Sequence, residues 1–312
     1  MTTRIVEPAD FGGPEQLRLT ETEVPAPGPG QVRLSVRAIG VNPIDWKLYS
    51  GAFGHDPQLL HSIGAEAAGV VDAVGPDVTD WHPGDEVVAT EVPGTAYADA
   101  IVVPASGLIA KPDAVTMEQA AGLPVAAGTA VHALTAAGVV DGETIVIHGA
   151  AGGVGGLTVQ LARRAGARVI GTASPANHDY LRSLGAEPVA YGPGLLDRLR
   201  ALAPEGVDAA IDAVGTDEAL DTSVALVADP KRVVTIAGFA RAAELGISPI
   251  GGGPGADPGT EVRRAAQPTV FGLVASGELS FPIARTYPLA ETAEAHRDSI
   301  AGHTRGKLVV IP

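Results

Sequence analysis

The feature that most constrains this chain is a Gly-rich turn set between a strand and a helix. Residues 144–172 read TIVIHGAAGGVGGLTVQLARRAGARVIGT. The β-branched run predicts a strand over 144–149, and the amphipathic stretch after it predicts a helix over 153–165. Ala150, Gly152 and Gly155 fill the three positions of a dinucleotide-type G-x-G-x-x-G, with Ala in place of the first Gly. Small residues there allow a tight turn and let the backbone approach a pyrophosphate. The new helix presents free N–H groups and its positive dipole end, with Gly153 and Val154 in its first turn. Gly155 permits the helix to pack close on the strand. A structural turn that binds nothing is the competing reading.

The rhythm continues beyond the turn. Strands are predicted over 168–173, 188–191, 208–214 and 232–237, with helices over 175–184, 195–203 and 217–227. Near-continuous apolar strands alternating with helices specify an α/β fold, a doubly wound parallel sheet with helices on both faces. An acid at the end of the second strand would bind ribose hydroxyls and select NAD. Here Thr172, Ala173 and Ser174 stand instead, which favours NADP(H). Ser174 followed by Pro175 reads as an N-cap with Pro at the first helical position. Either Ser174 only caps that helix, or the helix start also faces the phosphate, with Asn177, His178 and Tyr191 as further donors.

Residues 1–115 read differently, as short apolar-alternating strands punctuated by PAPGPG, GPD and HPGD. That pattern predicts a small, mostly β domain. Thr116 and Gln119 have capping-box spacing and open an Ala-rich helix. After the Gly/Pro segment 249–259, a mobile flap or a connector, come helices over 260–277 and 290–301 and a last strand, KLVVI. This tail lacks the strand–helix rhythm and is expected to pack back on the first domain. The expected domains are therefore 1–122, completed by 269–312, and 123–268.

Composition narrows the chemistry. The chain contains no cysteine, which removes disulfide scaffolds, thiolate nucleophiles and cysteine-ligated metals. Its eight histidines lack an i, i+4 pair, and no metal is expected. A net charge of −15 argues against a nucleic-acid partner. Residues 120–140 and 144–162 carry no charged side chain, but they are Ala- and Gly-rich and read as a buried helix and a strand–loop–helix. No targeting segment is visible, so no membrane association and a cytoplasmic protein are expected.

Further motifs carry a family resemblance. AAGGVG, GVNPIDW (40–46), GAEAAGVV (64–71), HPGDEV (82–87), TASPANHDYLRSLGAE and the closing GKLVVIP resemble the medium-chain dehydrogenase/reductase superfamily, within it the zinc-free quinone oxidoreductase (zeta-crystallin-like) branch. The resemblance implies a GroES-like substrate domain, a Rossmann domain, an active site in the cleft between them, and a homodimer. Zinc-dependent relatives carry a cysteine ligand where this chain has Asn42 and a histidine where it has Ala65.

Without zinc to assist removal of a hydroxyl proton, alcohol oxidation is disfavoured. A quinone or α,β-unsaturated carbonyl needs only alignment and hydrogen-bond polarisation. The expected activity is hydride transfer from NADPH to such an acceptor. Asn42 is the leading partner for its oxygen, against a plain turn role before Pro43. Lys47 is a proton donor, an anion contact or a solvated surface residue, and Tyr49 is a weaker donor. Trp46 and Phe53 are pocket candidates, although relatives carry tyrosines near the Lys47 and Phe53 positions. Asp45 and Glu66 read as structural. Thr129 resembles a position near the nicotinamide or is a buried helix residue, and Ala237 with Gly238 lets the nicotinamide approach the backbone. The alternatives are an enoyl-thioester reductase of the same superfamily and a cofactor-binding redox sensor with little turnover.

Overall fold

A computed structural model describes residues 1–312. They group into two compact units. One comprises Met1–Val125, Phe271–Glu278 and Pro282–Pro312, the other Ala126–Val270 and Leu279–Phe281.

The first unit opens with an antiparallel pair, β1 (Thr2–Pro8) and β2 (Leu17–Glu23). Then follow β3 (Gln31–Gly40), α1 (Pro43–Tyr49), β4 (Ala67–Val74), β5 (Glu86–Ala89), β6 (Ala100–Pro104) and β7 (Leu108–Ala110). Along β3 the alternation places Val32, Leu34 and Val36 inside, as a half-buried strand requires. α2 (Met117–Ala136) leads from this unit into the next. Its start is the expected capping box: Gln119 N–H donates to Thr116 Oγ1 and Thr116 N–H to Gln119 Oε1, both at 3.2 Å.

The second unit alternates strictly. Its elements are β8 (Thr144–His148), α3 (Gly153–Arg164), β9 (Arg168–Thr172), α4 (His178–Ser183), β10 (Glu187–Val189), α5 (Leu195–Leu202), β11 (Ala209–Asp212), α6 (Asp217–Leu226), β12 (Val233–Thr235), α7 (Phe239–Leu245) and β13 (Ser248–Pro249). The sheet is parallel throughout, in the order β10-β9-β8-β11-β12-β13. Counted within the unit, that is 3-2-1-4-5-6, the dinucleotide-binding order. The cores on its two faces are built by Ile145, Ile147 and Ile211, and by Val146, Ile170 and Ala210.

α8 (Thr260–Ala275), β14 (Ile283–Pro288), α9 (Thr292–Ala301) and β15 (Lys307–Ile311) complete the chain. β15 pairs parallel with β14 and antiparallel with β3, so the C-terminus joins the sheet of the first unit. β13 and α7 escape the sequence pattern: β13 is a two-residue edge strand ending in Pro, and α7 has seven residues after a glycine. The helix expected over 175–184 is a 3-10 turn, Pro175–Asn177, followed by α4. Segment 249–259 is tied down: Gly251 N–H donates to Asp257 O and Asp257 N–H to Pro249 O.

The cap on α2 has a measurable cost. Thr116→Ala is expected to destabilise the protein by about 1 kcal/mol, read as a lower urea midpoint. An unchanged midpoint would contradict the capping role.

Candidate functional site

The Gly-rich turn lies at the C-terminal end of β8, where open parallel sheets bind ligands. Gly149, not Ala150, takes the left-handed conformation (φ +73°). Ala150 is buried and its N–H donates to Thr172 O in the sheet. The tight turn thus sits one residue ahead of the motif position, at Gly149, which motif matching missed. Gly155 has the expected role: a Cβ there would lie 2.2 Å from Gly149 O. Gly152 is open, its nearest atom 3.5 Å from a Cβ position. Gly153, Val154 and Gly155 form the first turn of α3, whose N–H groups have no acceptor within the helix. This open turn with free donors fits a dinucleotide pyrophosphate.

Two further groups gather at the same sheet edge. Ala173 N–H donates to Val189 O, which brings the segments after β9 and β10 side by side. Ser174, Asn177 and His178 follow β9 and exposed Tyr191 follows β10. Pro175 occupies the first turn as expected, but the Ser174 hydroxyl caps no backbone N–H; it accepts from Asn177 Nδ2 at 3.3 Å. His178 Nε2 is buried without a partner. On the other side, buried Asp212 accepts from the N–H groups of Val214 and Gly215 and from Thr235 Oγ1 at 2.7 Å. Thr235 Oγ1 in turn accepts from Ala237 and Gly238 N–H. The segment expected to let the nicotinamide approach the backbone is thereby held by the Thr235 side chain. Both N–H groups are occupied, and Gly238 packs where a Cβ would meet Leu220 at 2.8 Å. Asp212 and Thr235 shape this edge, and no local motif announces them.

In the first unit, Asn42 precedes α1 and is buried. Its Nδ2 donates to Glu66 Oε1 (2.8 Å) and its Oδ1 accepts from Lys307 Nζ (2.6 Å). Lys307 also donates to Glu66 Oε1 at 2.8 Å, with side chains 7% and 0% exposed. Pro124 interrupts the ladder of α2, and the next N–H, from Val125, donates to Glu66 Oε2 at 2.7 Å. Glu66 is therefore the anion of a buried cluster, more than the structural residue expected, and Lys307 went unnoticed as sequence.

Asp45 is structural as expected. It accepts from Asn42 N–H, Gly64 N–H and Tyr97 Oη, and burial pushes its carboxyl up to about 6. Because Tyr97 donates to Asp45, its oxygen accepts from His296 Nε2, and His296 Nδ1 then accepts from Tyr49 Oη at 2.8 Å. Tyr49 is therefore corrected from donor candidate to core residue. It is fully buried, and burial raises its hydroxyl well above the ordinary range. Trp46 likewise packs on this core and donates its indole N–H to Ser299 Oγ. Lys47 lies over the Trp46 ring at 5.6 Å, and Phe53 is half-buried. Thr129 is buried in α2, where its hydroxyl accepts from Arg263 Nη1 at 2.9 Å.

A parallel sheet in dinucleotide-binding order in one unit, and a β unit completed by the C-terminal strand in the other, are the two parts expected of a medium-chain dehydrogenase/reductase. Residues 28–113 match the alcohol dehydrogenase GroES-like domain family, and 184–310 the zinc-binding dehydrogenase family. A quinone oxidoreductase of Pseudomonas aeruginosa is 34% identical over 321 residues, covering 97% of this chain and 98% of that one. Among solved structures, the Coxiella burnetii quinone oxidoreductase has a TM-score of 0.87 at 30% identity over 100% of both chains. The Escherichia coli quinone oxidoreductase complexed with NADPH has a TM-score of 0.87 at 27% identity, covering 99% of this chain and 100% of that one. The chain belongs to the zeta-crystallin-like quinone oxidoreductase branch of that superfamily. The zinc of the matching family's name does not fit these residues. An ammonium occupies Asn42 Oδ1 and Glu66 Oε1, and no thiolate or imidazole accompanies them.

Two outcomes follow. Gly155→Val is expected to lower stability by about 1–3 kcal/mol through the collision with Gly149 O; an unchanged melting temperature would contradict the close approach. Burial lowers His296 to about 4. The unfolded chain thus binds more protons than the native one between roughly pH 4 and 6.5. Stability carried by neutral His296 is full above that window and is lost as pH falls through it. The deficit of His296→Gln relative to the native protein should therefore shrink by on the order of 3 kcal/mol from pH 7 to pH 4. A deficit constant across that range in urea titrations would contradict this.

Proposed function

We propose that the protein is an NADPH-dependent oxidoreductase that passes hydride to a quinone or α,β-unsaturated carbonyl without a metal. The observation that carries this reading is the donor set around Asn42: amide, carboxylate and ammonium, with Lys307 holding the oxygens a metal would need. When bound, NADPH supplies a hydride from its nicotinamide. The turn through Gly149, Gly152, Gly153, Val154 and Gly155 binds the pyrophosphate with the first N–H groups of α3. Ser174, Asn177, His178 and Tyr191 contact the ribose phosphate, where Thr172, Ala173 and Ser174 present no repelling carboxylate.

On the acceptor, Asn42 Nδ2 holds the oxygen that gains negative charge. The acceptor is already electrophilic, so no hydroxyl proton has to be removed beforehand, and solvent provides the proton afterwards. An alcohol substrate would require that removal, and the groups bonded to Asn42 do not favour it: Lys307 is a donor, and Glu66 already accepts from Asn42, Lys307 and Val125.

The test is steady-state NADPH oxidation against panels of quinones, enones and enoyl thioesters. Quinones or enones are expected to turn over, with kcat/KM for NADPH exceeding that for NADH by about tenfold or more, the worth of one charge-assisted hydrogen bond. Equal use of NADH would contradict the reading of Thr172–Ser174. Turnover confined to enoyl thioesters would replace the substrate class. NADPH binding with no acceptor reduced would overturn the enzyme reading in favour of a sensor.

A further inference from the structure

The cluster of Asn42, Glu66 and Lys307 is costly to build. Burying an ammonium and a carboxylate carries a desolvation penalty, and well-packed apolar residues serve stability as well. The chain also clears space for it. A Cβ on Gly40 would sit 2.3 Å from Glu66 Oε1, and one on Gly122 would sit 2.7 Å from Lys307 Cγ. The side chains are brought from separate stretches: Asn42 at the start of α1, Glu66 before β4, Lys307 at the first position of β15.

The arrangement fixes the direction of one amide. Lys307 can only donate and ionised Glu66 can only accept. Asn42 must therefore turn Oδ1 to the ammonium and Nδ2 to the carboxylate, and the flipped amide would face donor with donor and acceptor with acceptor. One Nδ2 hydrogen is left over. The ammonium on Oδ1 draws electron density from the amide and strengthens that remaining N–H as a donor. A hydroxyl brought to Oδ1 meets the ammonium's positive field instead.

We propose that Lys307, with Glu66, is a positioning and specificity-determining residue that locks Asn42 as a hydrogen-bond donor and so selects carbonyl ligands over the corresponding alcohols. The inference rests on the proposed contact between Asn42 and the acceptor oxygen. Lys307 touches no substrate; it acts through Asn42. Glu66 holds the ammonium in place.

The test is binding, independent of turnover. Affinities of 1-tetralone and its alcohol, 1-tetralol, are measured on the NADP⁺-loaded protein. The native protein is expected to prefer the ketone by about tenfold or more, the worth of one strengthened hydrogen bond. Lys307→Met/Glu66→Gln removes both charges together and leaves no unpaired buried ion. It is expected to reduce the preference to about twofold with NADP⁺ affinity unchanged. Lys307→Gln/Glu66→Gln, which also removes both charges but keeps polar partners for Asn42, is expected to show the same loss and serves if the methionine variant does not fold. Asn42→Ala abolishes the preference, and adding the Lys307/Glu66 changes to it alters nothing further, because the pair works only through Asn42.

A preference that persists in the charge-removed variants, or is absent from the native protein, overturns the proposal. A native ketone preference without NADPH oxidation by any quinone or enone would sink the proposed activity and leave this inference standing. Quinone reduction with a preference indifferent to Lys307 would do the reverse.

Discussion

The first unit depends on one buried carboxylate. Glu66 accepts from Asn42, from Lys307 and from the Val125 N–H. It thereby ties the start of α1, the entry to β4, the middle of α2 and the start of β15 to one anion. Removing any single donor would leave a buried charge under-satisfied, a far larger loss than the net worth of the intact cluster. The same anion fixes the ammonium, and the ammonium fixes the amide. The structural constraint and the proposed specificity rest on the same set of contacts. The neighbouring chain Tyr49–His296–Tyr97–Asp45 extends the pattern, since each member's donor or acceptor role is decided by the next.

The second unit works by backbone. Its turn relies on Gly149 for conformation and on Gly155 for close packing, and the free N–H groups of α3 provide the positive end. A chain with net charge −15 can meet an anionic dinucleotide this way without a lysine cluster. Asp212 and Thr235 then hold the loops after β11 and β12 in place through their side chains.

The parts of this architecture that were legible in the sequence are local. The strand–turn–helix around Gly152, the apolar strands of the parallel sheet and the capping box at Thr116 each depend on residues a few positions apart. What was not legible is long-range. Asn42 and Lys307 are 265 positions apart and meet where β15 pairs with β3; Tyr49 and His296, on α1 and α9, are 247 apart. Tyr49 read as a candidate donor because nothing local shows it pointing into the core. Ala150 was given the turn because motif spacing cannot tell which of two small neighbours adopts positive φ. β13 is too short for any periodicity to appear.

The proposed chemistry is direct, metal-independent hydride transfer. The sharpest measurement is a single-turnover reaction, followed by stopped flow, of protein dialysed against a chelator, using 1,4-benzoquinone and NADPH deuterated on either face of nicotinamide C4. Quinone reduction is expected at a rate insensitive to the chelator, with a primary isotope effect for one deuterated face alone. Loss of activity on chelation that zinc restores, or oxidation without an isotope effect on either face, would contradict it.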